Sequence, residues 1–232
     1  MRLDKLLANS GFGTRTEVKK LIRYKAVTIN GEVAKSGSTH VDEVNDEVAV
    51  YEEPVVYLKN IYLMMNKPKD VVSATQDNIH ETVIDLVDEG LLYFDLFPVG
   101  RLDIDTEGFL ILTNDGQFSH RVLSPNKHVP KMYYLETDEA IPEKAIEAFT
   151  KGVPILDGYV TKPAVLEILS ETTAYLTITE GKYHQVKEMM LTQGVEVTYL
   201  KRVKYGNLEL DSDLALGEYR LIEEEELAKI FE

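Results

Sequence analysis

Apolar residues recur along the chain with two different periods, and the changes of period mark out the elements. Near the amino terminus Leu3, Leu6 and Leu7 fall at helical spacing, and Ser10-Gly11 ends the run. Thr14 and Glu17 then form a Thr-x-x-Glu capping box. After it, Val18, Leu21 and Ile22 share one face of a second helix while Arg15, Lys19 and Arg23 share another. Val27-Thr28-Ile29 and Val33 flank Asn30-Gly31, two residues that tolerate positive φ, so a tight hairpin is predicted. This stretch reads as a small helix-helix-hairpin unit carrying a basic stripe on a helix backed by core. From the pattern alone the stripe is equally a solvated helix face.

The polar, proline-bearing run Tyr51-Glu52-Glu53-Pro54 reads as a linker, with the boundary at 52–60, a first domain over 1–55 and a second over 60–232. In the second, residues 61–65, 109–113, 131–136, 165–169, 175–179 and 195–199 read as strands, and 82–86, 118–123, 143–150 and 184–193 as helices. The order is not a regular strand-helix alternation. It predicts an α+β body around a mixed, largely antiparallel sheet rather than a doubly wound one.

Composition narrows the functions. With 232 residues, 44% apolar and 28% charged, the chain is an ordinary globular one with no low-complexity arm. It has no cysteine, and His40, His80, His120, His128 and His184 are scattered, so neither a thiolate nor a helix-borne histidine metal site is expected. No G-x-G-x-x-G and no P-loop occurs, so no nucleotide cofactor is expected; no cofactor is implied at all. The charged start MRLDKLLANSG is unlike a signal peptide, and no run approaches the roughly 20 apolar residues of a membrane span, so a cytoplasmic location is expected; a monomer is taken as the default. The net charge of −15 argues against a nucleic-acid partner, but its distribution reverses that. Residues 1–35 hold eight Lys/Arg against three Asp/Glu, whereas residues 209–232 hold nine acids against Arg220 and Lys229.

Candidate chemistry lies in GRLDIDTEGFLILTNDG, residues 100–116, where Asp103 and Asp105 precede an apolar strand that ends at Asn114-Asp115-Gly116. Asp103 could pair with Arg101 on the surface, Asp105 could cap a turn, or the two could be a glycosidase acid/base pair. Spacing alone favours turn chemistry.

Resemblance decides otherwise. The segment resembles the signature of the RsuA-type pseudouridine synthases: Gly-Arg-Leu-Asp, Thr-x-Gly, an aliphatic run, then Thr-Asn-Asp-Gly. NKP at 66–68, SPNKHVPKMYYLE at 124–136, TKPAVLE at 161–167 and EGKYHQVKEM at 180–189 agree in order. RLDKLLANSGFGTRTEVKKLI and the INGEV hairpin, within residues 2–33, resemble the small RNA-binding domain named after ribosomal protein S4.

The resemblance implies isomerisation of a uridine in ribosomal RNA, naked or in an assembling subunit, with Asp103 as nucleophile. It implies Lys187 as the cation beside Asp103, offsetting a burial that would raise its proton affinity in a pocket that excludes water. It implies Tyr133, in Lys131-Met132-Tyr133, as the aromatic platform for an extruded base, with Tyr134 facing the other way. Arg101 and Lys182 would bind substrate, and Arg15, Lys19, Lys20 and Arg23 would meet RNA phosphates. Read without the family, Lys187 is a solvated helix residue beside Val186, Met189 and Met190. Lys182 stands where the family usually has arginine, Asp70 where a glycine often follows Asn-Lys-Pro, and Glu188 where a basic residue is common. TKPAVLE and EGKYHQVK point to small-subunit RNA. The alternatives are large-subunit RNA or a catalytically silent RNA-binding or ribosome-assembly protein.

Overall fold

The computed structural model describes every residue except Pro125, Asn126 and His128, together with the side chain of Asp157. Those three lie in the segment 124–136 quoted above, and this part of the expectation falls outside the described residues. The chain divides into two compact units, one of residues 1–61 with 87–96, the other of 62–86 with 97–232.

The first unit follows its sequence pattern closely. Helix α1 (Leu3–Asn9) is followed by α2 (Arg15–Arg23), whose Thr14 cap and Glu17 side chain exchange hydrogen bonds with each other's backbone as the capping box requires. Strands β1 (Val27–Ile29) and β2 (Glu32–Val33) flank Asn30 at φ 51° and Gly31 at φ 80°. Two successive positive φ values are the turn that matches strand twist. β3 (Val48–Val50) and β4 (Glu53–Pro54) complete a sheet of order β2-β1-β3-β4. Its apolar face packs on Leu3, Leu7, Val18 and Ile22. The run Tyr51–Pro54 is therefore not a linker: Tyr51 (φ 51°) and Glu52 (φ 70°) form the turn of the β3-β4 hairpin inside this unit. A 3-10 turn, Glu89–Phe94, is also counted in this unit.

The second unit is built on one nine-stranded sheet. In chain order its elements are β5 (Tyr62–Lys67), β6 (Phe97–Pro98), β7 (Glu107–Thr113), α3 (Gly116–Leu123), β8 (Lys131–Thr137), α4 (Lys144–Lys151), β9 (Val165–Ile168), β10 (Thr173–Ile178), α5 (Gln185–Leu191), β11 (Val197–Tyr205), β12 (Leu208–Glu209), β13 (Tyr219–Leu221) and α6 (Glu224–Lys229). The strand order is β13-β5-β7-β11-β8-β10-β9, with β6 on β7 and β12 on β11. Among the described residues only the strands β7 and β11 pair in parallel, so the sheet is mixed and largely antiparallel in an α+β body. β7 is buried at every position, as a continuous apolar run at the sheet centre should be. Gly108 in β7 (φ 101°) pairs with Arg202, and a Cβ there would collide with the Arg202 carbonyl. Only glycine lets these two strands approach so closely.

Two expectations are corrected here. Residues 82–86 are not helical: the Thr82 N–H and hydroxyl both donate to Asp85 at 2.8 Å, and the N–H groups of Val72 and Val83 donate to Glu81 and Val72. The Thr82–Asp85 exchange has the form of a helix cap, but the run after it is too short to sustain a helix and stays a turn. β11 does not end at Tyr199 but continues to Tyr205, six residues further. Lys201, Arg202 and Lys204 interrupt the apolar alternation, yet Arg202 is 1% exposed, so its inward position is filled by a cation.

Candidate active site

Asp103 lies in the loop between β6 and β7, and that loop is tied down from several sides. The Leu102 N–H and carbonyl both bond the Ser73 hydroxyl at 3.0 Å, and the Asp70 N–H donates to the Ile104 carbonyl at 2.9 Å. Lys67, fully buried at the end of β5, donates from Nζ to the carbonyls of Pro68 (2.8 Å), Thr106 (3.0 Å) and Ile104 (3.5 Å). Burial pushes the Lys67 ammonium down to about 8, against the opposing pull of Asp105, Asp103, Glu107 and Asp70. Asp70 itself adopts φ 64°, a conformation that glycine takes at little cost.

The Asp103 carboxylate opens into a cleft of about 570 Å³ lined by the loop, by β8 and β11, and by residues 180–187. Its Oδ2 stands 3.6 Å from His184 Nε2 and 3.7 Å from Lys187 Nζ. The Asp103 side chain is 30% exposed, so the expected exclusion of water is not met by the protein alone. Lys187 makes its short contacts to Asp105, at 2.6 and 2.8 Å. Burial works to raise Asp105, but the Lys187 hydrogen bond and charge hold its carboxyl below the usual carboxylate range.

Across the cleft, strand alternation sends Tyr133 inward and Tyr134 to the opposite face, where Tyr134 packs against Tyr175 and Tyr199 at 5.9 and 6.0 Å. Tyr133 is 8% exposed and pairs with Arg202 across β8 and β11; Lys131 pairs with Tyr205 in the same ladder. Arg202 donates from Nε to the Phe109 carbonyl at 2.7 Å and from Nη1 to the Tyr133 hydroxyl at 3.3 Å, and stacks over Tyr205 at 4.3 Å. Its Nη2 is buried without a partner among the described residues. Lys131 Nζ donates to the Val129 carbonyl at 3.0 Å, and burial, with the nearby Arg202 charge, pushes it down to about 8. This wall thus presents two buried cations interleaved with two tyrosine rings.

The rim is held by Glu180, itself buried. It accepts from the Tyr159 hydroxyl (2.7 Å), the Lys162 N–H (2.9 Å) and Gln185 Nε2 (2.9 Å), while Gln185 Oε1 accepts from the Lys182 N–H at 2.9 Å. Lys182 is exposed and lies over the Tyr159 ring at 4.3 Å; Arg101 is also exposed at the cleft.

Of the residues expected from sequence, Asp103, Tyr133, Lys187, Arg101 and Lys182 line this one cleft. Arg15, Lys19, Lys20 and Arg23 are exposed on α2 of the other unit, opposite its buried Val18 and Ile22. Sequence reading missed Lys67, Lys131, His184 and Arg202. The first three sit inside the motifs NKP, SPNKHVPKMYYLE and EGKYHQVKEM, and Arg202 follows from alternation once β11 is extended. Among the described residues no three His, Asp or Glu side chains converge so as to hold a metal ion, and no helix is long and apolar enough to cross a membrane.

Residues 61–216 match the RNA pseudouridylate synthase family and residues 1–48 match the S4 domain. The chain is 55% identical to the uncharacterized RNA pseudouridine synthase YtzG of Bacillus subtilis over 231 residues, 98% of this chain and 97% of that one. It is 40% identical to ribosomal small subunit pseudouridine synthase A of Escherichia coli over 232 residues, covering 99% and 100%. A solved pseudouridylate synthase crystal structure superposes with a TM-score of 0.71 at 39% identity, covering 99% of both chains.

Proposed function

The chain belongs to the RsuA family of RNA pseudouridine synthases, with an amino-terminal S4 domain, and from that premise we propose that it isomerises one uridine of small-subunit ribosomal RNA with Asp103 as its nucleophile. The observation that carries the reading is the convergence of Asp103, Tyr133 and Lys187 on one cleft.

The reaction breaks the N1–C1′ bond of uridine, turns the freed base and joins C5 to C1′. The C5 proton leaves, N1 ends protonated, and no atom is gained or lost. The enzyme must therefore supply a nucleophile, hold a detached base and tolerate charge on it. Asp103 is anchored through its backbone rather than its side chain, so the carboxylate is free to reach the sugar or the base, or to assist an elimination. Lys187 Nζ and His184 Nε2 face it at 3.7 and 3.6 Å. Tyr133 offers a ring against which an extruded base stacks, and the Lys131-Arg202 wall suits a base that carries negative charge while detached. RNA entering the cleft covers Asp103 and completes the exclusion of water. Arg101 and Lys182 at the rim, and Arg15, Lys19, Lys20 and Arg23 on α2, meet backbone phosphates. These contacts position RNA without reading its sequence.

The choice of small-subunit RNA rests on the full-length similarity to the Escherichia coli protein. Purified protein incubated with small- and large-subunit ribosomal RNA transcripts, followed by pseudouridine mapping, tests it. Product in the small-subunit RNA is expected; product confined to the large-subunit RNA would overturn that choice.

A further inference from the structure

Residues 181–184 leave one aromatic surface unused by the chemistry above. The Tyr183 ring is 72% exposed, although it stacks on His184 with centroids 3.8 Å apart and planes 18° from parallel. One face of the ring lies against the imidazole, and the residue, largely exposed, lines the cleft. His184 holds φ 50°, a strained backbone for a residue with a side chain, and the Glu180-Gln185-Lys182 hydrogen bonds on either side fix it there. The imidazole Nε2 stands 3.6 Å from Asp103 Oδ2, and the Tyr183 ring lies stacked on that imidazole.

We propose that the Tyr183-His184 stack is a nucleotide-binding platform on which the base next to the target uridine stacks. The inference rests on the reading of the Asp103 cleft as the uridine site. A base reacting beside Asp103 must leave its own stack, and its neighbour in the strand then loses a stacking partner. Tyr133, 8% exposed, is deep enough to serve the reacting base; Tyr183 is at the mouth, where the strand continues. An aromatic ring takes any base on its face, so the platform adds affinity and fixes the path of the strand without specifying the neighbouring base. Lys182, next in sequence and exposed, lies where a cation accompanies the phosphate of that nucleotide.

The test uses a short RNA carrying the uridine mapped as above, with 2-aminopurine placed at the 5′ or the 3′ neighbour. Wild-type enzyme is expected to quench the fluorophore at one of the two positions. Tyr183→Phe should keep the quenching and Tyr183→Ala should lose it, with KM raised on the order of tenfold and kcat nearly unchanged. Tyr183 is largely exposed, so both variants are expected to fold, which thermal unfolding checks. If Tyr183→Ala matches wild type in quenching and KM while pseudouridine still forms, the platform is wrong and the assignment of the cleft stands. If wild-type protein modifies no uridine, the assignment of the cleft fails and the platform falls with it.

Discussion

The Lys187 ammonium bonds Asp105 at 2.6 Å while standing 3.7 Å from Asp103. One cation is thus shared unequally by two carboxylates, and the more weakly held one faces the cleft. Asp105 is 62% exposed, and an exposed ion pair contributes about 1 kcal/mol or less. Asp105→Asn is therefore expected to lower kcat by less than about fivefold. Lys187→Met, which removes the charge facing Asp103, should lower it by roughly a hundredfold or more. Single-turnover kinetics on saturating RNA reads both. The reverse order would make Asp105 the functional carboxylate.

Arg202 and Tyr133 form a buried pair without a carboxylate partner among the described residues. Tyr133→Phe strips the acceptor from Nη1 of a guanidinium whose Nη2 already lacks one, at a cost of about 1–3 kcal/mol. Arg202→Met removes the donor as well, so the double variant should lose less stability than the two single losses combined, by at least about 0.5 kcal/mol. Urea unfolding of the four proteins measures this coupling, and simple additivity would argue against it.

Lys67 and Lys131 are each pushed by burial from 10.5 to about 8. Between those values the unfolded chain holds protons that the folded protein has released, so stability rises with pH across that window, and the burden of two buried ammonium groups is fully felt below pH 8. Tyr205 acts oppositely: burial raises its hydroxyl from 10.0 to about 12, so stability falls once the unfolded tyrosine ionises. The melting temperature should climb from pH 8 toward pH 10 and decline above it, with Lys131→Met flattening the climb.

Lys19 and Arg23 project from α2 into solvent. Lys19→Glu combined with Arg23→Glu should leave unfolding within about 0.5 kcal/mol of wild type. RNA affinity should fall, and the slope of log affinity against log salt should shrink by about 1 for each lost phosphate contact. Filter binding across a salt series checks this, and an unchanged slope would remove these residues from the RNA surface.

Much of this was legible before the fold was. The capping box at Thr14, the Asn30-Gly31 hairpin and the α+β order come from local chemistry, which survives folding because each hydrogen bond is made within a few residues. The Asp103 loop was legible through its motif, not its physics, since spacing alone suggested only a turn. Arg202 and Lys67 were hidden for one shared reason. Each is a cation in a buried inward position, where a pattern of apolar residues expects a hydrocarbon, and each donates to a carbonyl of a distant segment, Arg202 to Phe109 and Lys67 to Thr106. The run at 82–86 misled in the opposite sense, because the Thr82–Asp85 exchange has the form of a helix cap while the chain after it only turns.

Asp103→Asn tests the central assignment most directly, because it keeps the size of the side chain and the backbone bonds of its loop and removes only the charge. The purified variant, assayed by pseudouridine mapping on the RNA that wild-type protein modifies, is expected to bind that RNA and to yield no pseudouridine. Product from the variant at a rate near that of wild type would contradict the assignment of Asp103 as nucleophile.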